Sequence, residues 1–339
     1  SDVYKRQALP RRLAMSEYRP VHTIRAHAGA VHVARYNVGG RYLLTGGADQ
    51  QVCLWNARSA PGDELDNKGR SPCIQRYSAH SYEVQCLDIA PDNARFASGG
   101  ADRAVLLWDV GTGQVLRRFS AHYGRIHDVR FAGARDEGSV LLTAGADKVL
   151  RAYDLRASGA WRPIWEQSDA RDAILALGMS NGVCVHTGSV DGVVRTYDVR
   201  RGVLRSDVLD QPVTSLAPTR DGAALLVSTL DSTLRLLDQT DGSELQRFRG
   251  HKNTAFRCHA ALSVDEAQVL AGDETGSVHG WDLLSGRRDF AQAPEVRASS
   301  GAGACILWTE ANPDTGVREL VSASSTGAVH TWARAPARP

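Results

Sequence analysis

The chain has 339 residues, a length that allows one to three domains and a core that buries about 75% of the surface exposed on unfolding. Its 40 basic and 38 acidic residues leave a net charge of +2, which excludes an overall electrostatic attraction to nucleic acid or to anionic membranes. No run of about 18 apolar residues occurs, so we expect no membrane span. The six cysteines are scattered without a Cys-x-x-Cys pair, which favours reduced core thiols in a cytoplasmic or nuclear protein over a disulfide framework.

The first residues differ from the rest of the chain. Residues 1–19 contain five basic side chains, no apolar segment of a secretory signal, and no methionine before Met15. We therefore expect residues 1–19 to be a basic leader that is disordered or non-native, with Met15 as the native start. A transit peptide is the alternative.

A short element recurs through the remaining sequence. Thr45-Gly46-Gly47-Ala48-Asp49 precedes Trp55, and Ser98-Gly99-Gly100-Ala101-Asp102 precedes Trp108 in the same way. Equivalent aromatic slots fall at positions 55, 108, 153, 197, 237, 281 and 332, at intervals of 40 to 53 residues. This spacing matches a repeat of about 40 to 45 residues with insertions at 60–72 and 309–317.

Each repeat contains four short runs of alternating apolar residues. In the second repeat these runs are 84–89, 95–98, 105–108 and 114–119, and turn residues separate them. A four-stranded sheet cannot bury both of its faces alone, but seven sheets around one axis supply a shared core. The sequence predicts an all-β, seven-bladed β-propeller over 20–334, with a strand at 20–24 closing the last blade and a tail at 335–339.

These repeats resemble the WD-repeat family. A histidine opens several units, and an aromatic-Asp pair such as Trp108-Asp109 ends the third strand. In that family an opening histidine, a Ser or Thr, the turn aspartate and the Trp form a buried hydrogen-bond chain. The resemblance implies structural tetrads in blades 1 to 3: His27, Thr45, Asp49 and Trp55; His80, Ser98, Asp102 and Trp108; and His122, Thr143, Asp147 and Tyr153. Blades 4 to 7 lack some of these residues, and we expect them to rely more on apolar packing.

The same residue types occur in the triads of nucleophilic enzymes. A triad needs an exposed nucleophile beside an oxyanion site, whereas a constellation repeated blade after blade is explained by buried polar groups that satisfy one another. The histidines and cysteines show no zinc spacing, and the glycine-rich stretches are turns rather than phosphate loops. We therefore predict no enzymatic activity, no cofactor and no metal.

A closer resemblance connects residues 188–195 and 230–253 with the WD-repeat mitogen-activated protein kinase organizer family. Leu237 in the aromatic slot departs from the general WD pattern as it does in that family. The resemblance implies a protein-interaction scaffold for kinase-cascade components that also associates with the spliceosome during pre-mRNA splicing. We expect a monomer located in the cytoplasm and the nucleus, without membrane association and without direct nucleic-acid binding.

In WD propellers the narrow face is built from residues just before the first strand and just before the turn aspartate. The chemistry of these slots makes eight side chains candidates for partner binding: His32, Glu83, Arg125, His127, Lys252, Asn253, Phe256 and Arg257. Charge and aromatic character gather in blade 6, at Lys252, Phe256 and Arg257, and in blade 3, at Arg125 and His127, and we expect these two opposite sectors to hold different partners.

Two alternative functions stay open. Arg156 and Arg200 follow an aromatic-Asp pair in an arrangement that resembles the box of substrate receptors of cullin-4 ubiquitin ligases. An RNA-binding propeller is the third reading.

Overall fold

The computed structural model describes residues 18–57, 73–133, 138–157, 161–292, 305–314 and 319–334. Within these ranges the chain contains strands and turns only, and no helix is long and apolar enough to cross a membrane. Most of the expected leader (1–17), the insertion at 60–72, the part of the second insertion at 315–317 and the tail at 335–339 lie outside the described residues.

The described strands form seven four-stranded antiparallel sheets, the blades. Blade 1 comprises β2 (Val31–Tyr36), β3 (Tyr42–Gly47), β4 (Val52–Asn56) and β5 (Gln75–Tyr77), and blade 2 comprises β6 (Val84–Ile89), β7 (Arg95–Gly100), β8 (Val105–Asp109) and β9 (Val115–Phe119). Blade 3 comprises β10 (Ile126–Ala132), β11 (Val140–Gly145), β12 (Leu150–Asp154) and β13 (Trp165–Gln167), and blade 4 comprises β14 (Ile174–Ser180), β15 (Cys184–Ser189), β16 (Val193–Asp198) and β17 (Val203–Val208). Blade 5 comprises β18 (Val213–Pro218), β19 (Ala224–Thr229), β20 (Thr233–Asp238) and β21 (Glu244–Arg249), and blade 6 comprises β22 (Ala260–Leu262), β23 (Gln268–Gly272), β24 (Val278–Asp282) and β25 (Arg288–Gln292). Blade 7 comprises β26 (Ile306–Ala311), β27 (Glu319–Ser324), β28 (Ala328–Arg334) and, as its outer strand, β1 (Tyr18–Arg25).

The blades stand around a central channel. The first strand of each blade is its inner strand, and each inner strand contacts that of the next blade, with β26 of blade 7 contacting β2 of blade 1. The predicted fold, a seven-bladed propeller, is confirmed.

The N-terminal strand closes the ring. β1 pairs antiparallel with β28 from Tyr18, opposite Arg334, to Arg25, opposite Ala328, and so supplies the outer strand of blade 7. The strand begins slightly earlier than the expected start at residue 20. Tyr18 is buried and packs on Phe290 of blade 6 at a ring-centroid distance of 5.3 Å, so its side chain belongs to the propeller core.

The core lies between neighbouring blades. In blade 2, Trp108 stacks on Phe96 at 5.6 Å, and Tyr77 of blade 1 packs edge-on against both rings. The Tyr77 hydroxyl donates a hydrogen bond of 2.9 Å to the carbonyl of Val110. Large aromatic side chains therefore hold the outer strand of one blade against the next blade.

A glycine near the end of the second strand lets the next inner strand approach closely. A Cβ added at Gly99 would lie 2.5 Å from Cγ2 of Ile126, the first inner residue of blade 3, and Gly46 faces Val84 of blade 2 in the same way. Only a glycine leaves room for a β-branched side chain at this distance.

The junction between blades 5 and 6 departs from this arrangement. Ser228 occupies the glycine position, and Asn253 occupies the position of the first inner residue, where its Nδ2 donates to Ser228 Oγ at 3.3 Å. The regular inner strand β22 then begins only at Ala260, and a loop over 254–259 replaces its first part.

Candidate functional site

One backbone hydrogen bond recurs in all seven blades and defines one side of the ring, the narrow face. The amide just after the second strand donates to the carbonyl just before the inner strand, as between Ala48 and Ala30 at 2.8 Å. The equivalent donor and acceptor pairs are Ala101–Glu83, Ala146–Arg125, Val190–Ala173, Leu230–Pro212, Glu274–Lys252 and Ser325–Cys305. The loops before the inner strands and the turns after the second strands therefore lie side by side on this face.

Blade 1 contains a buried hydrogen-bond chain beneath the narrow face. His27 Nδ1 donates to Asp49 at 2.7 Å, and its Nε2 accepts from the Thr45 hydroxyl at 2.8 Å. The same hydroxyl accepts from the Trp55 indole at 2.9 Å. In blade 2 the equivalent distances among His80, Asp102, Ser98 and Trp108 are 2.9, 2.7 and 2.8 Å. Each hydroxyl is thus committed to two side chains, which leaves none free as a nucleophile in these two blades.

Blade 3 extends this chain with an arginine. His122 bonds Asp147 at 2.9 Å and Thr143 at 2.7 Å, while Arg151 donates to Asp147 at 2.6 Å. Burial opposes ionisation of Asp147, but the hydrogen bonds from His122 and Arg151 outweigh it and lower its pKa to about 2. Tyr153 occupies the tryptophan slot and packs against Phe119 at a centroid distance of 4.5 Å.

In blades 4 and 5 an arginine replaces the missing histidine. Arg195 donates to Ser189 at 2.9 Å and to Asp191 at 2.8 Å. Arg235 binds Thr229 and Asp231 in the same way. These blades were expected to rely more on apolar packing, and the structure adds a polar contact that this expectation did not include, because the guanidinium reaches the turn aspartate from the third strand.

Blade 6 builds its polar contact from other residues. Asp273 accepts from His279 Nε2 at 2.8 Å, and the Trp281 indole donates to the carbonyl of Arg249 at 3.0 Å. The opening His251 is buried, with no hydrogen-bond partner among the described residues, and burial lowers its pKa to about 4. In blade 7 the Trp332 indole donates to Ser322 at 2.9 Å.

The eight candidate partner-binding side chains differ in exposure. Arg125, Lys252 and Phe256 are exposed on the narrow face, whereas His32, Glu83 and His127 are half-buried, with His32 Nε2 3.4 Å from the Glu83 carboxylate. Asn253 is buried at the junction between blades 5 and 6 and is not available at the surface. Its polar side chain made it a candidate, but its position equals that of the first apolar inner residue in the other blades.

Arg257 points into the central channel instead of toward a partner. Its guanidinium donates to the carbonyls of His127 at 2.5 Å and Thr214 at 3.2 Å, and lies 3.7 Å from Asp128. Arg257 of blade 6 is thus bonded across the channel to blade 3, and the expectation that the sectors of blades 3 and 6 hold different partners stays a prediction.

The channel contains an arc of alternating charges, over four neighbouring blades, that the sequence predictions missed. At the same inner-strand position, blades 7, 1, 2 and 3 carry Glu310, Arg35, Asp88 and Arg130. Arg35 pairs with Asp88 and lies 3.3 Å from Glu310, while Arg130 lies 3.9 Å from Asp88. Burial raises the pKa of Glu310 although Arg35 and Arg130 favour its charged form. Aligning the inner strands of the repeats shows this alternation in the sequence.

The channel carboxylates also bind the backbone of the following blade. Asp88 accepts from the amide of Phe131 at 2.7 Å, and Asp128 accepts from the amide of Leu177 at 2.9 Å. Together with Arg257, these contacts connect groups from all seven blades across the channel.

Comparison with known proteins gives the family. The model of the WD domain, G-beta repeat, matches residues 18–56 and 71–109. WD repeat domain-containing protein 83 of Homo sapiens is 40% identical over 266 residues, which cover 78% of this chain and 79% of that protein. An uncharacterized WD repeat-containing protein of Schizosaccharomyces pombe is 35% identical over 253 residues, or 75% of this chain and 80% of the relative. The Dictyostelium discoideum homolog of WD repeat domain-containing protein 83 is 25% identical over 334 residues, or 90% and 95% of the two chains.

This chain belongs to the WD repeat domain-containing protein 83 family. The membership is consistent with the resemblance to the mitogen-activated protein kinase organizer family. WD-repeat propellers are typically non-catalytic, and the names of the WD repeat domain-containing protein 83 relatives specify no enzyme activity.

In this member of the WD repeat domain-containing protein 83 family, the two arginines considered for a ligase role lie on the face opposite the narrow face. Arg156 and Arg200 follow the third strands β12 and β16 and are exposed. The Arg156 guanidinium donates to the Asp154 carboxylate at 2.9 Å. Their geometry permits contact with a partner on this second face.

The described residues contain no group of three or more His, Cys, Asp or Glu side chains that could hold a metal ion. Cys53, Cys86, Cys258 and Cys305 are buried, and Cys73 and Cys184 are partly buried, all as free thiols.

Proposed function

We propose that this protein is a non-catalytic scaffold that holds partner proteins on a rigid ring, with the narrow face as its main binding surface. One contrast carries the proposal. The polar groups that resemble catalytic residues are bonded to one another beneath the surface, whereas Tyr82, Tyr123 and Phe256 are exposed above them at 63%, 85% and 54%. Exposed aromatic side chains beside arginine are typical anchors of protein interfaces.

The rigidity of the ring supports a scaffold role. The channel network and the closing strand β1 fix the blades relative to one another, so that binding a partner orders little of the protein. When two partners are bound to such a ring, the effective concentration of each partner near the other is raised.

The identity of the partners is a further part of this proposal. The resemblance to the mitogen-activated protein kinase organizer family favours kinase-cascade components and the spliceosome, which would place the protein in the cytoplasm and the nucleus. The ligase-receptor and RNA-binding readings predict different partners and are separated by the same experiment.

Affinity purification of the full chain from its own cells, followed by mass spectrometry, tests the proposal. We expect kinases or splicing proteins to be recovered by the native chain and at least one of them to be lost with Arg125→Glu. Arg287→Glu introduces the same charge change on the opposite face and is the matched control. Equal recovery by both variants would place the binding surface elsewhere, and recovery of ligase subunits or RNA alone would favour the other readings.

A further inference from the structure

Phe256 is displayed by a loop that is fixed from below. The carboxylate of Glu274 accepts hydrogen bonds from the amides of Thr254, Ala255 and Phe256 at 2.6, 2.6 and 3.1 Å, and from the Thr254 hydroxyl at 3.0 Å. Although burial opposes ionisation, these bonds hold the pKa of Glu274 below its ordinary value. The next residue, Arg257, anchors the other end of the loop in the channel. An exposed aromatic ring held in this way loses little conformational freedom when a partner covers it.

A cavity of about 220 Å³ opens beside this ring at the channel mouth. Phe256, Leu307, Trp308 and Ala30 give it mostly apolar walls, while Arg257, His32 and Gln85 supply its polar lining. Trp308 is held in place by His259, which stacks on it at 3.8 Å and 11°. The cavity is smaller than the roughly 300 to 1,000 Å³ of small-molecule sites, and its size suits a single large side chain.

The neighbouring loops of blades 2 and 3 are basic and aromatic. Their exposed side chains on the narrow face include Arg103, Arg125, Lys148, Tyr82 and Tyr123. The carboxylates of the same loops are occupied, because Asp102 and Asp147 are bonded to the tetrad histidines and Glu83 accepts from Gln85 at 3.0 Å. Because the Asp102 and Asp147 side chains are only 4% and 7% exposed, the exposed charges of these loops are mostly basic, although the whole chain is nearly neutral.

We propose that the narrow face binds an extended acidic segment of a partner protein, with one large apolar side chain in the Phe256 cavity and its carboxylates over the basic loops of blades 2 and 3. This inference rests on the scaffold function proposed above and specifies the partner's chemistry. Gln85 of blade 2 lines the cavity, so a segment that leaves the cavity passes directly onto those loops. A nucleic-acid strand would also match the positive charge, and the experiment below distinguishes it from an acidic peptide.

A library of random dodecapeptides displayed on phage and selected on the full chain tests the proposal. We expect selected peptides to contain a large apolar residue flanked by Asp or Glu. For a synthetic copy of such a peptide, fluorescence anisotropy should show a loss of about thirtyfold in affinity with Phe256→Ala, the usual effect of truncating an interface anchor. Arg125→Glu should weaken binding by about tenfold or more, with a strong dependence on salt, and Arg287→Glu should leave it unchanged.

A double-mutant cycle identifies the contact itself. Replacing the apolar residue of the peptide by serine should reproduce the loss caused by Phe256→Ala, and combining both changes should add little further. Full affinity of the peptides for Phe256→Ala, selection of basic sequences, or no selection at all would overturn the proposal. Binding of a twelve-residue oligouridine that depends on Arg125 but not on Phe256 would overturn it in favour of RNA. The peptide test of the Phe256 cavity can fail while the recovery of purified partners is still reduced by Arg125→Glu. In that case the scaffold function stands, and its partners bind through another surface.

Discussion

At the scale of single residues, Arg257 belongs to a loop, but its side chain connects blades in the central channel. Its guanidinium binds two carbonyls and approaches Asp128 in a channel lined by backbone and charge. We expect Arg257→Ala to lower the free energy of unfolding by about 1.5 to 3 kcal/mol, since hydrogen bonds of a charged group are lost. Urea denaturation measures this, with Phe256→Ala as the exposed neighbouring control. An unchanged midpoint for Arg257→Ala would contradict the channel role.

Asp102 belongs to the blade 2 tetrad, and its removal has a pH signature. Burial raises the pKa of Asp102, but hydrogen bonds from His80 and the Ser81 amide outweigh it and hold the pKa below its ordinary value. The carboxylate therefore stabilises the fold above pH of about 4, and this contribution is lost as the pH falls through the folded pKa.

We expect Asp102→Ala to cost about 1 to 3 kcal/mol at pH 7, because it leaves His80 and a backbone amide without their acceptor. Thermal denaturation at pH 7 and at pH 3 should show the difference from the native chain shrinking at the lower pH. Partner binding should fall only in proportion to folding. A stable variant that no longer binds would show that the tetrad has a direct functional role.

The limits of sequence reasoning are visible at this scale. The resemblance to the WD-repeat family implied a contact between His27 and Thr45, and the structure has a hydrogen bond of 2.8 Å between them. The same reasoning did not find Arg195 and Arg235, because a long side chain on the third strand reaches a position that its sequence slot does not indicate. Burial of Asn253 was likewise missed, because a polar residue in an apolar slot is recognised only when its partner Ser228 is known.

At the scale of strands and blades, stability depends on how closely an inner strand approaches the preceding blade. A Cβ at Gly99 would lie 2.5 Å from Ile126 and 2.8 Å from Cys86. We expect Gly99→Ala to destabilise the protein by about 1 to 3 kcal/mol through overpacking. Ile126→Ala removes the Cγ2 atom that the new Cβ would meet, so we expect the double variant to lose less stability than the sum of the two single losses.

Chemical denaturation of the single and double variants measures the coupling. Gly39→Ala is the control, because its added Cβ would meet no atom closer than 3.9 Å. A loss at Gly99 no larger than at Gly39 would contradict the close approach of the two blades.

Strand positions in regular blades followed well from the sequence, as blade 2 illustrates. β6 coincides with the predicted run at 84–89, and the other three strands differ from their predicted runs only at their ends. Blade 6 was less predictable, because the loop at 254–259 replaces the first part of its inner strand, and there Phe256 is exposed while Arg257 is bonded in the channel.

At the scale of the whole molecule, the ring depends on a strand from the opposite end of the chain. We expect deletion of residues 1–14 to leave the melting temperature nearly unchanged, since β1 begins at Tyr18. Deletion of residues 1–26 removes β1 and exposes the edge of β28, so we expect aggregation. Size-exclusion chromatography with light scattering distinguishes the two, and a folded monomer from the longer deletion would refute closure by β1.

The ring as a whole was predictable because seven repeats leave few ways to bury their faces. The channel network was not, because the sequence alone does not show which side chains of seven inner strands meet at the axis. Four residues alternate in charge along the ion-pair series only when blade 7 is placed beside blade 1: Glu310, Arg35, Asp88 and Arg130.

The pairing of β1 with β28 also sets the order of events during protein synthesis. Thr23 and His330 share a hydrogen bond of 2.9 Å although they are 307 positions apart. At the usual rate of about 5 to 20 residues per second, a ribosome needs roughly 15 s or more after making β1 to produce its partner. Throughout this interval the nascent chain carries an unpaired strand. If translation stops before Ala328 and the chain is released, the chain lacks β28. It then forms an open arc instead of a ring, with two unpaired strand edges.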